Sequence, residues 1–196
     1  MTVTPDPIAR FASLYERVLA TIPASQNPTS MVVSSVSAEG RPSSRFVLLK
    51  EVDARGFVFY TNLHSRKGRE IAQNPHVALC FYWPSLDEQV RVEGRAEAVT
   101  DEEADRYFAS RPRESQIGAW ASTQSEPLAA YEHLVRRVVE YAEKFGAGPV
   151  PRPPHWSGLR VVPDRIEFWR SRADRLHDRE LYEKHAEGWS LHRLFP

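Results

Sequence analysis

The 196-residue chain holds a single cysteine, Cys80. One thiol excludes an internal disulfide framework and a cysteine-rich zinc site. Cys80 sits in the apolar run Val77-Ala78-Leu79-Cys80-Phe81-Tyr82-Trp83 and reads as a small buried core residue. Neither sign of charge is in excess, since 26 Lys and Arg balance 26 Asp and Glu. Nucleic acid and membrane surfaces are therefore not expected as partners. No apolar stretch approaches the roughly 20 residues of a membrane span. Residues 1–22 include Asp6, Arg10, Glu16 and Arg17 and lack the apolar centre of a secretory signal, so a cytoplasmic protein is the expectation. Gly-rich phosphate loops and a Gly-x-Ser-x-Gly elbow are absent. His64, His76, His133, His155, His177, His185 and His192 are scattered without metal-ligand spacing, and no metal is expected.

What remains is an ordinary globular composition, 41% hydrophobic and 27% charged. It suffices for one compact domain over 1–196 whose core needs no staple. Ile8, Phe11, Leu14, Tyr15, Val18 and Leu19 recur at helical spacing, which predicts an amphipathic helix within 1–25. Strand-like runs follow at Met31–Val36, Ser44–Val52, Phe57–Thr61, His76–Trp83 and Gln89–Val99, and again at Gly158–Val162, Arg165–Trp169, Leu176–Tyr182 and Trp189–Leu194. A short helix capped by Ser65 is expected after the third run. Thr100-Asp101-Glu102-Glu103 is a capping-box pattern. Pro112 can open a further helix, and Leu128–Phe145 reads as a longer one. The Pro- and Gly-rich stretch 146–156 is a connector, and 157–196 returns to strands. The fold class is mainly β with flanking helices, an antiparallel sheet curling into a six- to eight-stranded barrel.

Four features bear on chemistry. Arg66 and Lys67 follow the Ser65 cap, where free N–H groups and two cations suit a phosphate or else form a solvated turn. Tyr107, Arg111 and Ser115 are spaced by four, so an unbroken helix would align two hydroxyls and a guanidinium as a phosphate clamp; an ordinary helix surface is the alternative. In Arg175-Leu176-His177-Asp178-Arg179, strand alternation would put Arg175, His177 and Arg179 on one face, facing either an anionic ligand or solvent. Arg45-Phe46-Val47-Leu48-Leu49-Lys50 is strongly β-forming with a cation at each end. Trp169 either packs on a flat ligand or fills core.

These stretches, with Phe59-Tyr60-Thr61-Asn62, Ser110–Trp120 and Ile166–Trp169, resemble in order the pyridoxamine 5′-phosphate oxidase family, over about Met31 to Pro196. The resemblance implies an FMN-binding split barrel in a homodimer with FMN at the subunit interface. It implies FMN contacts at Arg45, Phe46, Val47, Leu48, Leu49, Lys50, Tyr60, Thr61, Arg66, Lys67, Gln89, Gln124, Ser125, Trp169 and Arg179. Lys50, Tyr107, Arg111 and Ser115 would hold a substrate phosphate. Arg175 and His177 would lie against the substrate ring as the catalytic pair. The implied reaction oxidises pyridoxine or pyridoxamine 5′-phosphate to pyridoxal 5′-phosphate with O2, giving H2O2. The alternatives are a related flavin oxidase of another ring, of the phenazine-biosynthesis type, and a non-catalytic flavin- or B6-phosphate-binding protein.

Overall fold

Buried residues alternate with less buried ones along 30–36, 76–83 and 88–96, and a curled sheet is the consequence. The computed structural model describes residues 5–196; residues 1–4, the start of the expected helical segment, lie outside the described residues. Helix α1 (Pro7–Thr21) is capped by Asp6, whose carboxylate accepts from the Ile8 N–H at 2.9 Å. It buries Ile8, Phe11, Leu14 and Val18 on one stripe.

The strands are β1 (Ser30–Val36), β2 (Pro42–Leu48), β3 (Glu51–Asp53), β4 (Gly56–Asn62), β5 (His76–Trp83), β6 (Glu88–Ala98), β7 (Trp156–Arg170), β8 (Asp178–His185) and β9 (Gly188–Arg193). All pair antiparallel in the order β2-β1-β5-β6-β7-β4-β3, with β8 on β7 and β9 on β8. The sheet curls until its ends meet. The Leu49 N–H donates to Thr29 O at 2.8 Å, and the Lys50 N–H donates to Val58 O at 2.9 Å. Phe11 reaches inside, with its ring 4.8 Å from that of Phe57 and 4.9 Å from that of Phe81. This half-barrel with flanking helices is the mainly β, antiparallel class that the sequence predicts.

Several local expectations change. The run Ser44–Val52 is broken at Leu49 and Lys50, because these two residues close the barrel between β2 and β3. Conversely, Gly158–Val162 and Arg165–Trp169 are parts of one strand, β7. Pro163 suggests a turn, but it lies at a bulge opposite Glu93 and Gly94, where no ladder N–H is required of it. A side chain at Gly94 would meet the Val162 carbonyl, so the bulge needs glycine there. Beyond the bulge β7 exchanges β4 for β8 as its second partner, which splits the barrel. Cys80 is half-buried on the outer face of β5, not in the core; Val77, Leu79, Phe81 and Trp83 take the inner positions.

The remaining helices are α2 (Arg66–Gln73), α3 (Asp101–Ala109), α4 (Arg113–Ala121) and α5 (Tyr131–Phe145). The expected capping box is present: the Glu103 N–H donates to Thr100 Oγ1 at 3.2 Å, and the Thr100 N–H donates to Glu103 Oε2 at 3.0 Å. Phe108, Ile117, Val150 and Trp156 form a second, smaller core beneath α3 and α4. No helix among the described residues is long and apolar enough to cross a membrane.

Candidate active site

A cleft of about 1020 Å³ opens between β2, β4, the start of α2 and the α3–α4 turn. One end is built by α2. Ser65 caps that helix, its Oγ accepting from the Gly68 N–H at 3.3 Å. Lys67 turns inward, and its Nζ donates to Thr61 Oγ1 at 3.0 Å and Gln124 Oε1 at 2.9 Å. Burial, followed by the nearby charge of Arg45, pushes the Lys67 ammonium down to about 8. Arg66 stays largely exposed and donates through Nε to Glu70 Oε1 at 2.8 Å.

Glu70 is the hub of this end, and the sequence reading passes over it. Its buried carboxylate also accepts from Ser35 Oγ at 2.5 Å and Ser43 Oγ at 2.6 Å. The Arg45 guanidinium spans the same hydroxyls, donating to Ser35 Oγ at 2.6 Å and Ser43 Oγ at 2.5 Å. Burial alone would raise the Glu70 carboxyl, but these hydroxyls and Arg66 outweigh it and hold it at about 2. A depressed carboxylate stabilises the fold above its unfolded value and loses that contribution as pH falls through the folded value. Urea unfolding of the wild type should therefore include a Glu70 contribution on the order of 3 kcal/mol to the stability lost between about pH 4.5 and pH 2. In Glu70→Gln the loss over this range should be smaller than in the wild type by about that amount, leaving the part due to Asp53 and Glu103, whose carboxyls are also held low. The Arg66–Glu70 spacing of four is the signal that would have found the hub.

The other end is aromatic and cationic. Tyr60, Tyr107 and Trp156 form a cluster of nearly parallel rings, with centroids 4.0 Å apart for Tyr60–Tyr107, 5.3 Å for Tyr60–Trp156 and 6.1 Å for Tyr107–Trp156. Arg111 lies over Trp156 with Cζ 4.7 Å from the ring centroid. Among the described residues its buried Nη1 has no hydrogen-bond partner. Burial lowers the Arg111 guanidinium, so the cation is held there at a cost. An unpaired buried donor on a side chain that lines the cleft is a feature an anion would satisfy. The helix does break at Pro112, with Tyr107 on α3 and Ser115 on α4, yet both line the cleft together with Arg111 and Lys50. Tertiary folding restores the convergence that one continuous helix was expected to provide.

The predicted residues thus divide. Arg45, Phe46, Val47, Leu48, Lys50, Tyr60, Thr61, Arg66, Lys67, Tyr107, Arg111, Ser115, Gln124 and Ser125 all line the cleft. Leu49 does not; its side chain is 2% exposed and belongs to the core. Trp169, His177 and Arg179 line a second hollow of about 360 Å³ around β7 and β8. Gln89 joins that set by register, being paired with Trp169, which is paired in turn with Arg179. Arg175, His177 and Arg179 do not share a strand face. Arg175 ends a single 3-10 turn, Ala173–Arg175, and β8 begins only at Asp178. Trp169 is half-buried against the His177 ring, 4.6 Å between centroids, instead of filling core. Trp156 and Asn62 also line the cleft and were not singled out from the sequence. A Trp at the start of a strand carries no signal that separates ligand contact from core.

Residues 19–145 match the family described as pyridoxamine 5′-phosphate oxidase, and residues 156–196 match the pyridoxine 5′-phosphate oxidase C-terminal dimerisation region. A pyridoxine/pyridoxamine 5′-phosphate oxidase of Myxococcus xanthus is 60% identical over 194 residues, covering 99% of this chain and 93% of the relative. The structure of PhzG from Burkholderia lata 383 in complex with tetrahydrophenazine-1-carboxylic acid superposes with a TM-score of 0.88 at 31% identity, covering 100% of this chain and 95% of that one. A pyridoxamine 5′-phosphate oxidase-related, FMN binding protein from Nostoc punctiforme PCC 73102 shares the fold, with a TM-score of 0.76 at 18% identity and full coverage of both chains.

Proposed function

The chain belongs to the pyridoxamine 5′-phosphate oxidase family, and from that premise we propose that it oxidises pyridoxine or pyridoxamine 5′-phosphate to pyridoxal 5′-phosphate with FMN and O2, releasing H2O2. The observation that carries this reading is the pair of cationic ends on one cleft, the Lys67 end and the Arg111 end, joined by an aromatic wall. Two phosphates at a fixed separation, with flat rings between them, match that arrangement.

Ser65, Arg66 and Lys67 hold the FMN phosphate at the start of α2, with Thr61, Gln124 and Ser125 beside it. Lys50, Tyr107, Arg111 and Ser115 hold the substrate phosphate. Bound FMN supplies the electron acceptor and returns the electrons to O2. The protein's own contribution is to bind, orient and desolvate. Arg175 and His177 orient the substrate ring, and orientation alone is worth several kcal/mol (~7 in favourable cases). The protein works as a homodimer through residues 156–196, with FMN at the interface. Gln89, Trp169 and Arg179 of one protomer then complete the other protomer's cleft, which accounts for the separation of the two residue sets. The described residues, 5–196, act as one split-barrel domain in the cytoplasm.

Anaerobic titration tests the assignment. Purified protein loaded with FMN should bleach on addition of pyridoxine 5′-phosphate and recover its flavin spectrum in air, with pyridoxal 5′-phosphate formed. A loaded protein that stays oxidised with this substrate but bleaches with a dihydrophenazine would move the assignment to the phenazine type. The buried, unpaired Nη1 of Arg111 favours the phosphorylated substrate.

A further inference from the structure

Between β7 and β8 the backbone takes an uncommon course. Asp174 and Arg175 have φ of 55° and 61°. Aspartate tolerates left-handed backbone, whereas arginine does so rarely and only where its surroundings hold it. Three contacts within the loop do so. The Leu176 N–H donates to Ala173 O at 3.1 Å. The Arg172 guanidinium pairs with Asp178, with Nη2 2.6 Å and Nε 2.7 Å from Oδ2, and so clasps the two ends of the loop. The Arg172 N–H donates to His177 Nδ1 at 3.3 Å.

That last bond fixes the chemistry of the ring. An imidazole nitrogen that accepts an N–H carries no proton, so neutral His177 keeps its proton on Nε2. Trp169 lies against the ring and limits its rotation. Among the described residues Nε2 has no hydrogen-bond partner, which leaves it free to donate.

We propose that Arg172 and Asp178 are positioning residues whose ion pair holds this strained loop shut and fixes His177 as the Nε2–H tautomer. The Nε2–H is thereby presented to an electron-pair-bearing substituent of the substrate ring, with Arg175 held beside it. The assignment rests on the oxidase reading given above. The competing description is a half-exposed surface ion pair, of the kind that often contributes nothing measurable.

Long-range 1H–15N spectra of 15N-histidine-labelled holoenzyme decide the tautomer, at about pH 8.5, roughly two units above the ordinary imidazole value. The His177 signals are identified by their loss in His177→Gln. The wild type should show Nε2 protonated and Nδ1 bare. Asp178→Ala should show averaged tautomers, a fall in kcat/KM for pyridoxine 5′-phosphate of at least tenfold, and an FMN dissociation constant within twofold of wild type. Arg172→Ala combined with Asp178→Ala should be no slower than the worse single variant, because both remove one clasp. Protonated Nδ1 in the wild type overturns the proposal. So does an Asp178→Ala protein with an unchanged tautomer and kcat/KM within twofold. A wild type that never turns over pyridoxine 5′-phosphate refutes the oxidase reading, while the spectra still decide the clasp.

Discussion

Arg111→Met lowers kcat/KM for pyridoxine 5′-phosphate about a hundredfold, or roughly 2.7 kcal/mol, while leaving the protein without ligand no less stable. The two halves of this expectation share one cause. The Arg111 guanidinium is half-buried over Trp156 and leaves Nη1 unpaired and dry. In the free protein that donor has given up water for nothing, which costs about 1–3 kcal/mol. In the complex a phosphate oxygen meets it, and truncating one partner of a desolvated charge pair costs about 2–5 kcal/mol. Methionine keeps most of the stem that packs on Trp156, so little cavity energy intrudes. Steady-state kinetics and urea unfolding on the same preparations check both halves. Dephosphorylated pyridoxine supplies the control, since its weak turnover should be unchanged. A kcat/KM within threefold of wild type would remove Arg111 from the substrate site.

The site was legible wherever its chemistry is carried by a local pattern. Ser65 before Arg66 and Lys67 and the Thr100–Glu103 box both announce helix starts, and both caps form as read. Tyr107, Arg111 and Ser115 converge although the helix breaks at Pro112, since the turn between α3 and α4 is short enough to keep them on one wall. What escaped depends on distant parts of the chain. Glu70 matters because β1 and β2 bring Ser35 and Ser43 to it, and within α2 its spacing of four from Arg66 is the one hint of that role. Leu49 and Lys50 interrupt a strongly β-forming run because barrel closure needs their N–H groups elsewhere. Residues 175–177 read as the start of a strand but lie in a loop closed by the Arg172–Asp178 pair, which propensity cannot register. Trp169 and Arg179 stand apart from the main cleft within one protomer, and a single sequence does not display the symmetry of the homodimer proposed to rejoin them.

Lys67→Met should weaken FMN binding about a hundredfold at pH 7 and abolish its pH dependence above pH 8, yet raise the stability of the protein freed of FMN. The sign follows from the ammonium's position. Burial and then Arg45 push Lys67 down to about 8, so without a ligand its charged form is disfavoured in the fold. Between about pH 8 and the ordinary lysine value of roughly 10.4, the unfolded chain binds more protons at this residue than the folded one, and stability without FMN rises with pH across that window. Methionine removes the cost at every pH and should raise stability below pH 8 by a few kcal/mol (~2–3). With FMN the balance reverses, because the phosphate favours the charged ammonium. Its second ionisation, near pH 6, is complete well below the window, so the phosphate stays dianionic throughout. Wild-type binding must therefore retain a proton that free protein has released, and its dissociation constant should rise towards tenfold per pH unit from about pH 8 to 9.5. Flavin fluorescence quenching gives both dissociation constants, and urea unfolding gives the stabilities. A wild-type dissociation constant that stays flat over that range would place the phosphate out of reach of Lys67, and the α2 end of the cleft would lose its assigned ligand.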